Sequence, residues 1–380
     1  MIAMAMACSP DLLIFDEPTT ALDVTTQIEV LASVREAIEA YDNTAIYITH
    51  DLAVVAQVAD RITVLRYGEI VETGATRQII EDPKQDYTRA LLSVRTARGD
   101  VAVQGDAETI LEIDGVTAAY GTFIALREIS ISIRRGKTVS VVGESGSGKS
   151  TLARVVAGLL PPSRGEVRFA GQTIPTRIRD RDIDTLLRLQ MIYQSADTAL
   201  NPKHRVRKII GRPLSFCFGM RGRARDERTA ELLDKIELGE GYMDRLPAEL
   251  SGGEKQRICI ARALAAEPDL IICDEITSSL DQLVAEGILK LLQNLQNDLS
   301  VYYMFITHDL DTVRAISDQI VVMYQGSVVE QGPAKTILTP PHEPYTDLLL
   351  SSAPEMDPDW LPRVLGHRQT LATKGVRIET

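Results

Sequence analysis

The sequence predicts an α/β fold: a parallel sheet whose central strand feeds a phosphate-binding loop. Three observations predict it. A glycine-rich loop lies between an apolar strand and a helix, another apolar strand ends in two adjacent carboxylates, and an internal repeat carries part of this order twice. The loop reads Gly143, Glu144, Ser145, Gly146, Ser147, Gly148, Lys149, Ser150, Thr151. The β-branched run Thr138–Val142 precedes it and the helix-forming run Leu152–Ala157 follows, which is the context a phosphate cradle requires. The glycines let the backbone curl with its N–H groups turned inward. The helix that starts there adds the positive end of its dipole. Lys149 is spaced to reach the β- and γ-phosphates of a nucleoside triphosphate, and the Ser150 hydroxyl to ligand Mg²⁺.

Composition narrows the class. A chain of 380 residues has room for two or three domains and a buried core. Its 53 acidic residues against 41 basic ones leave a net charge of −12, which argues against nucleic acid as the main partner. The cysteines Cys8, Cys217, Cys259 and Cys273 lack metal-ligand spacing and fit a reducing compartment. No apolar run approaches bilayer length. Ala5-Met6-Ala7-Cys8 loosely resembles a lipoprotein cleavage box, but no basic segment precedes it and the apolar stretch is short, so no secretion signal is expected.

The repeat sets the organisation. Asp16 and Asp274, His50 and His308, and Tyr87 and Tyr345 each stand 258 positions apart, and the offset never changes. The first copy, residues 1–98, carries a strand ending at Asp16-Glu17, a helix near Gln27–Ala40 and a strand Ala45–Thr49. A helix from Asp51 and a hairpin over Ile62–Val71 follow. Met1 aligns with Cys259, so the first copy is expected to be partial, without a phosphate loop and with a silent half-site. The small, polar stretch Arg98–Ala107 marks a linker, set at 99–109. The second copy, 110–340, opens with strands Ile110–Ile113 and Ile129–Ile133 before the loop. Gly165–Ala170 reads as a strand and Asp180–Leu189 as a charged helix. A polar, basic segment Asn201–Arg228 with a helix Thr229–Glu237 forms a helical insert. A helix Glu254–Ala266, strand Leu270–Cys273, helix Leu283–Asp298 and strand Val301–Thr307 complete the pattern. The extension 341–380, with Pro354, Pro358 and Pro362, is expected to be irregular and poorly packed.

The chemistry gathers in the second copy. Leu270–Asp274 is an apolar strand ending in a carboxylate: Asp274 would hold a Mg²⁺ shell and Glu275 would polarise an attacking water. Leu250-Ser251-Gly252-Gly253-Glu254-Lys255-Gln256 places a serine and two glycines before a helix, a further anion-binding N-terminus. With these motifs in this order, the chain resembles the ATP-binding cassette family, whose signature is LSGGQ; Glu254 stands in place of the glutamine.

That resemblance implies a P-loop NTPase with a RecA-like core, an antiparallel β subdomain and a helical subdomain. It implies ATP and Mg²⁺ as ligands, and further roles by position. Tyr120 looks like the aromatic that stacks on adenine, and Gln194 like the glutamine that senses Mg²⁺ and meets the membrane subunit. His308 looks like the switch histidine at the γ-phosphate and Asp281 like the aspartate that signals across a dimer. Ser251, Gly252, Gly253 and Gln256 would form a signature that acts on a partner cassette's ATP. Ile276 and Ser279 depart from the Pro18 and Ala21 of the first copy, changes expected to be tolerated. Ala199–Pro202, Val322–Gly332 and His342–Leu349 resemble the oligopeptide and dipeptide importer branch. Some members of that branch hold an iron–sulfur cluster in the extension; without a cysteine beyond Cys273, none is expected.

The implied function is an ATPase subunit of a peptide-type importer, peripheral on the cytoplasmic face of the inner membrane. Its partners would be separate permease subunits, another cassette and, indirectly, an extracytoplasmic solute-binding protein, with no nucleic acid. Two other readings use the same motifs. A soluble twin-cassette protein acting on ribosomes or DNA would need a long charged linker and a basic surface, which the sequence lacks. A non-catalytic remnant would follow from the partial first copy.

Overall fold

The computed structural model describes residues 2–19, 22–41, 43–93, 108–278 and 280–373. The chain forms two compact units: Met1–Thr96 with Asp281–Leu283 and His342–Thr380, and Ala97–Leu280 with Val284–Pro341. Almost all of the linker expected at 99–109 lies outside the described residues, as do Ala21 and Ser279. Among the described residues no helix is long and apolar enough to cross a membrane.

The first unit opens with α1 (Ile2–Met6), β1 (Leu12–Asp16), α2 (Val24–Tyr41), β2 (Thr44–Ile48) and α3 (Leu52–Val58). The strands β1 and β2 pair in parallel from Leu12↔Thr44 to Asp16↔Ile48. Asp51 caps α3, its carboxylate accepting from the amides of Ala53 (2.8 Å) and Val54 (3.3 Å). Then β3 (Arg61–Arg66) and β4 (Glu69–Ala75) form an antiparallel hairpin, and α4 (Thr76–Glu81) and α5 (Asp86–Ser93) close this part. One face of β1 buries Leu13 and Phe15 against Val34 of α2. The opposite face of β1 and β2 meets water, with Leu12 46%, Ile14 64%, Ile46 48% and Ile48 47% exposed.

The second unit contains the complete sheet. The strands β5 (Thr109–Tyr120) and β6 (Phe123–Arg134) form a long hairpin. They precede β7 (Thr138–Val142), α6 (Lys149–Val156), β8 (Arg164–Phe169), β9 (Gln172–Thr173), α7 (Ile183–Arg188) and β10 (Leu189–Ile192). Helices α8 (Ala196–Ala199), α9 (Val206–Cys217), α10 (Gly222–Lys235) and α11 (Gly252–Leu264) form the helical part. The core resumes with β11 (Leu270–Asp274), α12 (Gln282–Leu299), β12 (Tyr302–Ile306), α13 (Leu310–Ile316), β13 (Gln319–Tyr324), β14 (Ser327–Pro333) and α14 (Ala334–Ile337). The central sheet has the order β10-β11-β12-β7-β13-β14, parallel except for β14, and the sheet β6-β5-β8-β9 is antiparallel. This is the expected α/β fold, with both faces of the parallel strands covered as such strands require. Leu270, Ile272, Met304 and Ile306, the counterparts of the exposed residues in β1 and β2, are 0% exposed and pack with Leu152, Val155 and Val156 of α6.

Three local readings are refined by the structure. The helical insert forms, and within it the basic stretch adds a helix of its own: Val206, Ile209, Ile210 and Leu214 recur at helical spacing and are buried, a stripe hidden among arginines. The opening strands run far beyond 110–113 and 129–133, because left-handed residues Gly115 (φ 58°) and Glu128 (φ 49°) absorb register shifts without ending the ladder. The charged helix expected over Asp180–Leu189 forms as Ile183–Arg188, and β10 begins at once.

The C-terminal extension is also corrected. It forms α15 (Pro344–Ser351) and α16 (Trp360–Thr373), and it packs within the first unit. Pro344 and Pro362 sit in first turns, where a missing N–H leaves no helical bond unmade. Trp360 and Leu361, 3% and 1% exposed, pack with Val364 against Ile28, Leu31 and Val54. The buried Gln57 ties the segment down: its amide donates to Glu355 O (2.7 Å) and Asp357 O (3.0 Å), and its Oε1 accepts from Leu361 N (3.1 Å). Trp360→Ala should therefore destabilise the first unit by about 3–5 kcal/mol. The Arg77–Asp359 pair is exposed and screened by solvent, so Arg77→Ala should barely move the transition. Denaturant unfolding of both variants checks this; equal midpoints would refute it.

Candidate functional site

The loop after β7 is shaped by glycines that nothing else can replace. Gly143 (φ 147°) and Gly148 (φ 104°) lie in backbone regions that side chains avoid. A Cβ on Gly143 would stand 2.1 Å from Met323 O, and one on Gly148 2.9 Å from Ala125 O. Gly146 (φ 80°) faces open space, with Glu144 and Ser145 beside it on the accessible rim of the loop. The Lys149 side chain is buried and curls over the loop, its Nζ donating to Gly143 O (2.6 Å), Glu144 O (2.7 Å) and Ser147 Oγ (3.4 Å). Ser150 and Thr151 occupy the first turn of α6.

Neighbouring strands bring carboxylates to the same end of the sheet. Ser150 Oγ donates to Asp274 Oδ1 at 3.0 Å. Burial raises the Asp274 carboxyl above its ordinary range, only partly offset by that hydroxyl. Glu275 follows in a left-handed conformation (φ 49°), its N–H held by Ile306 O (2.8 Å). Its side chain is gripped from two sides: Gln194 Nε2 donates to Oε2 at 2.6 Å, and His308 Nδ1 lies 3.3 Å from Oε1. The His308 hydrogen bond is the main cause that holds the Glu275 carboxyl below its usual value. Strain at an acidic residue gripped by two polar partners is a feature of functional sites. The first unit repeats the strained backbone and the histidine: Glu17 has φ 46°, its N–H bonds to Ile48 O (2.9 Å), and His50 Nδ1 lies 3.0 Å from Glu17 Oε1.

The remaining candidates stand at the edges. Tyr120 is exposed at the tip of the β5–β6 hairpin, where Arg154 Nη1 donates to its hydroxyl (3.3 Å). Ser251 caps α11, Gly252 and Gly253 form its first turn, and a Cβ on Gly253 would meet Val284 Cγ1 at 2.4 Å. Gln256, one turn on, is buried. Asp281 precedes α12 and groups with the first unit. Ile276 is buried in the core cluster of the helical part, so packing holds that turn where the first copy uses Pro18. The structure thus gathers Lys149, Ser150, Asp274, Gln194, Glu275 and His308 through direct contacts around one loop and its neighbours.

Sequence reasoning missed one group. Glu254 Oε2 accepts from Ser251 N (2.7 Å) while Ser251 Oγ accepts from Glu254 N (3.3 Å), a reciprocal capping box. Its signal, serine followed three residues later by glutamate, stands in the sequence.

Comparison with known proteins agrees with this architecture. The family model described as ABC transporter matches residues 126–278, and that of the oligopeptide/dipeptide transporter C-terminal region matches 71–106 and 329–374. The chain is 38% identical over 397 residues to the glutathione import ATP-binding protein GsiA of Salmonella choleraesuis (strain SC-B67), covering 94% of this chain. It is 37% identical over 398 residues to the protein of that name in Escherichia coli (strain K12). The chain spans 63% of the length of these curated relatives. The structure of cbiO1 from Clostridium perfringens, described as part of the ABC transporter complex cbiONQ, has 29% identity and a TM-score of 0.55. It covers 60% of this chain and 90% of its own. The ATP-binding cassette MJ0796, solved as a dimer in a post-hydrolysis state with ADP and Pi, is 30% identical with a TM-score of 0.53. That match covers 59% of this chain and 99% of MJ0796. Cassette, site geometry and C-terminal region together make the chain a member of the ABC transporter ATPase family.

Proposed function

We propose that this chain is the ATP-binding and ATP-hydrolysing subunit of an importer for peptides or related small solutes such as glutathione. One observation carries the reading: Glu275 is held by both Gln194 and His308 beside the Asp274–Ser150 pair and the Lys149 loop. Lys149 and the loop amides would bind the phosphates, and Tyr120 would lie against the adenine. The donor set suits Mg²⁺. Ser150, Asp274 and the amide oxygen of Gln194 are hard oxygen ligands, and few carboxylates suffice when phosphates supply the rest. The desolvated Asp274 lacks a full counter-charge that a cation would provide. When bound, Mg²⁺ neutralises phosphate charge; the residues do the remainder. Glu275, kept ionised, accepts a proton from the attacking water, and His308 orients its carboxylate.

Ser251, Gly252 and Gly253 would act on the nucleotide of another cassette, with the buried Gln256 behind them, and Asp281 would signal between the two. The dimeric MJ0796 is the relative that supports this pairing. The oligopeptide/dipeptide region and the glutathione importers support the solute class. The chain would sit on the cytoplasmic face of the inner membrane against separate permease subunits within it, which an extracytoplasmic solute-binding protein would feed. The test is phosphate release from ATP by the purified chain. It should need Mg²⁺, stop with EDTA, and rise in specific activity with protein concentration as cassettes pair. ATP hydrolysis that is absent, or indifferent to EDTA, would overturn the reading.

A further inference from the structure

The signature turn is supported by side chains outside the motif. Glu254 uses both carboxylate oxygens locally: Oε2 accepts from Ser251 N (2.7 Å) and Oε1 from the Tyr242 hydroxyl (2.6 Å). The Arg245 guanidinium lies over the Tyr242 ring, 4.1 Å from its centroid, and Arg245 N donates to Tyr242 O (3.1 Å). The ring is thereby fixed from its face, its hydroxyl from its edge. A chain of contacts then runs from Arg245 through Tyr242 and Glu254 to Ser251.

This arrangement answers a difficulty created by the sequence. A carboxylate at a helix N-terminus is itself the anion such an end favours, and it would compete with an incoming phosphate. Here the charge is turned inward and spent on two donors. The Ser251 hydroxyl is also organised. Glu254 N–H occupies one of its lone pairs (3.3 Å), which leaves the O–H proton to donate away from the helix. Without the box, that hydroxyl is a free rotor and must be ordered at the moment of closure.

We propose that Tyr242, Glu254 and Arg245 are positioning residues that hold the Ser251 turn ready to donate to the phosphate of a partner cassette. This rests on the ATPase reading above. It assigns Glu254 a role separate from the glutamine it replaces: an internal strut whose charge is shielded by Tyr242 and Arg245.

The experiment compares wild type with Glu254→Ala, Glu254→Gln and Tyr242→Phe. ATP hydrolysis, ATP binding and amide exchange at Ser251 are measured on each. Glu254→Ala should lower kcat about tenfold with the KM for ATP unchanged, because the loop that first binds ATP is elsewhere. Tyr242→Phe should lower kcat about fivefold, the effect of one net hydrogen bond. Glu254→Gln should stay within about threefold of wild type, since its amide oxygen still accepts from Ser251 and its NH₂ can donate to Tyr242. Exchange at Ser251 should quicken in Glu254→Ala and not in Glu254→Gln. Unchanged exchange in Glu254→Ala would overturn the network, whatever the activity. Faster exchange with a wild-type kcat would overturn the positioning role while leaving the ATPase reading intact. A raised KM, or equal losses in the Ala and Gln variants, would also overturn it. Wild-type protein that hydrolyses no ATP would sink the ATPase reading and this role together.

Discussion

Glu275→Gln should bind ATP as wild type does and turn it over about 10²–10⁴-fold more slowly, the range expected for loss of a general base. The substitution is close to isosteric, so the left-handed backbone at φ 49° and the bond from its N–H to Ile306 O are retained. What disappears is the charge that accepts a proton and attracts His308 and Gln194. The Glu275 carboxyl is depressed, chiefly by the His308 hydrogen bond, so it stays ionised below the ordinary glutamate range. Its contribution is complete above the unfolded value and is lost only as pH falls through the depressed one. The rate between pH 6 and 8 should not titrate with this group. Single-turnover phosphate release with equilibrium nucleotide binding tests the substitution, and an undiminished turnover would remove Glu275 from the base role.

Lys149→Ala should weaken ATP binding by about 10²-fold or more, because charge-assisted bonds to phosphate are each worth roughly 1.5–3 kcal/mol. The loss has a second source in the loop itself. Lys149 Nζ now satisfies Gly143 O and Glu144 O, and alanine would leave those carbonyls without their cation. The curl that the glycines permit would then lack the group that tightens it. Fluorescent-nucleotide titration with thermal unfolding separates the two sources. Affinity within a few-fold of wild type would exclude Lys149 from phosphate binding.

The site was legible wherever chemistry demands a residue type at a fixed spacing. The Lys149 loop, Asp274-Glu275 and His308 are of this kind, and the 258-residue offset makes the last two readable twice, as Asp16-Glu17 and His50. Contacts that depend on folding were not. Tyr242 lies twelve residues before Glu254 with no pattern linking them, and only the capping geometry joins them. The stripe Val206, Ile209, Ile210, Leu214 was masked by the charge around it. Prolines in the extension suggest an irregular segment, whereas their effect depends on position within a turn. Trp360 found its partners 300 or more residues upstream, in Ile28, Leu31 and Val54, a contact that no local window contains.

The outward face of β1 and β2 gives the first unit a thermal character of its own. Leu12, Ile14, Ile46 and Ile48 remain about half in water, each forgoing half of the roughly 1.5–3 kcal/mol that full burial of such a side chain supplies. Near room temperature the drive to cover them is entropic, and it fades on cooling. The unit is therefore stickier when warm or in sulfate and quieter in the cold, and its response to sulfate is the reverse of what an interface built on ion pairs would show.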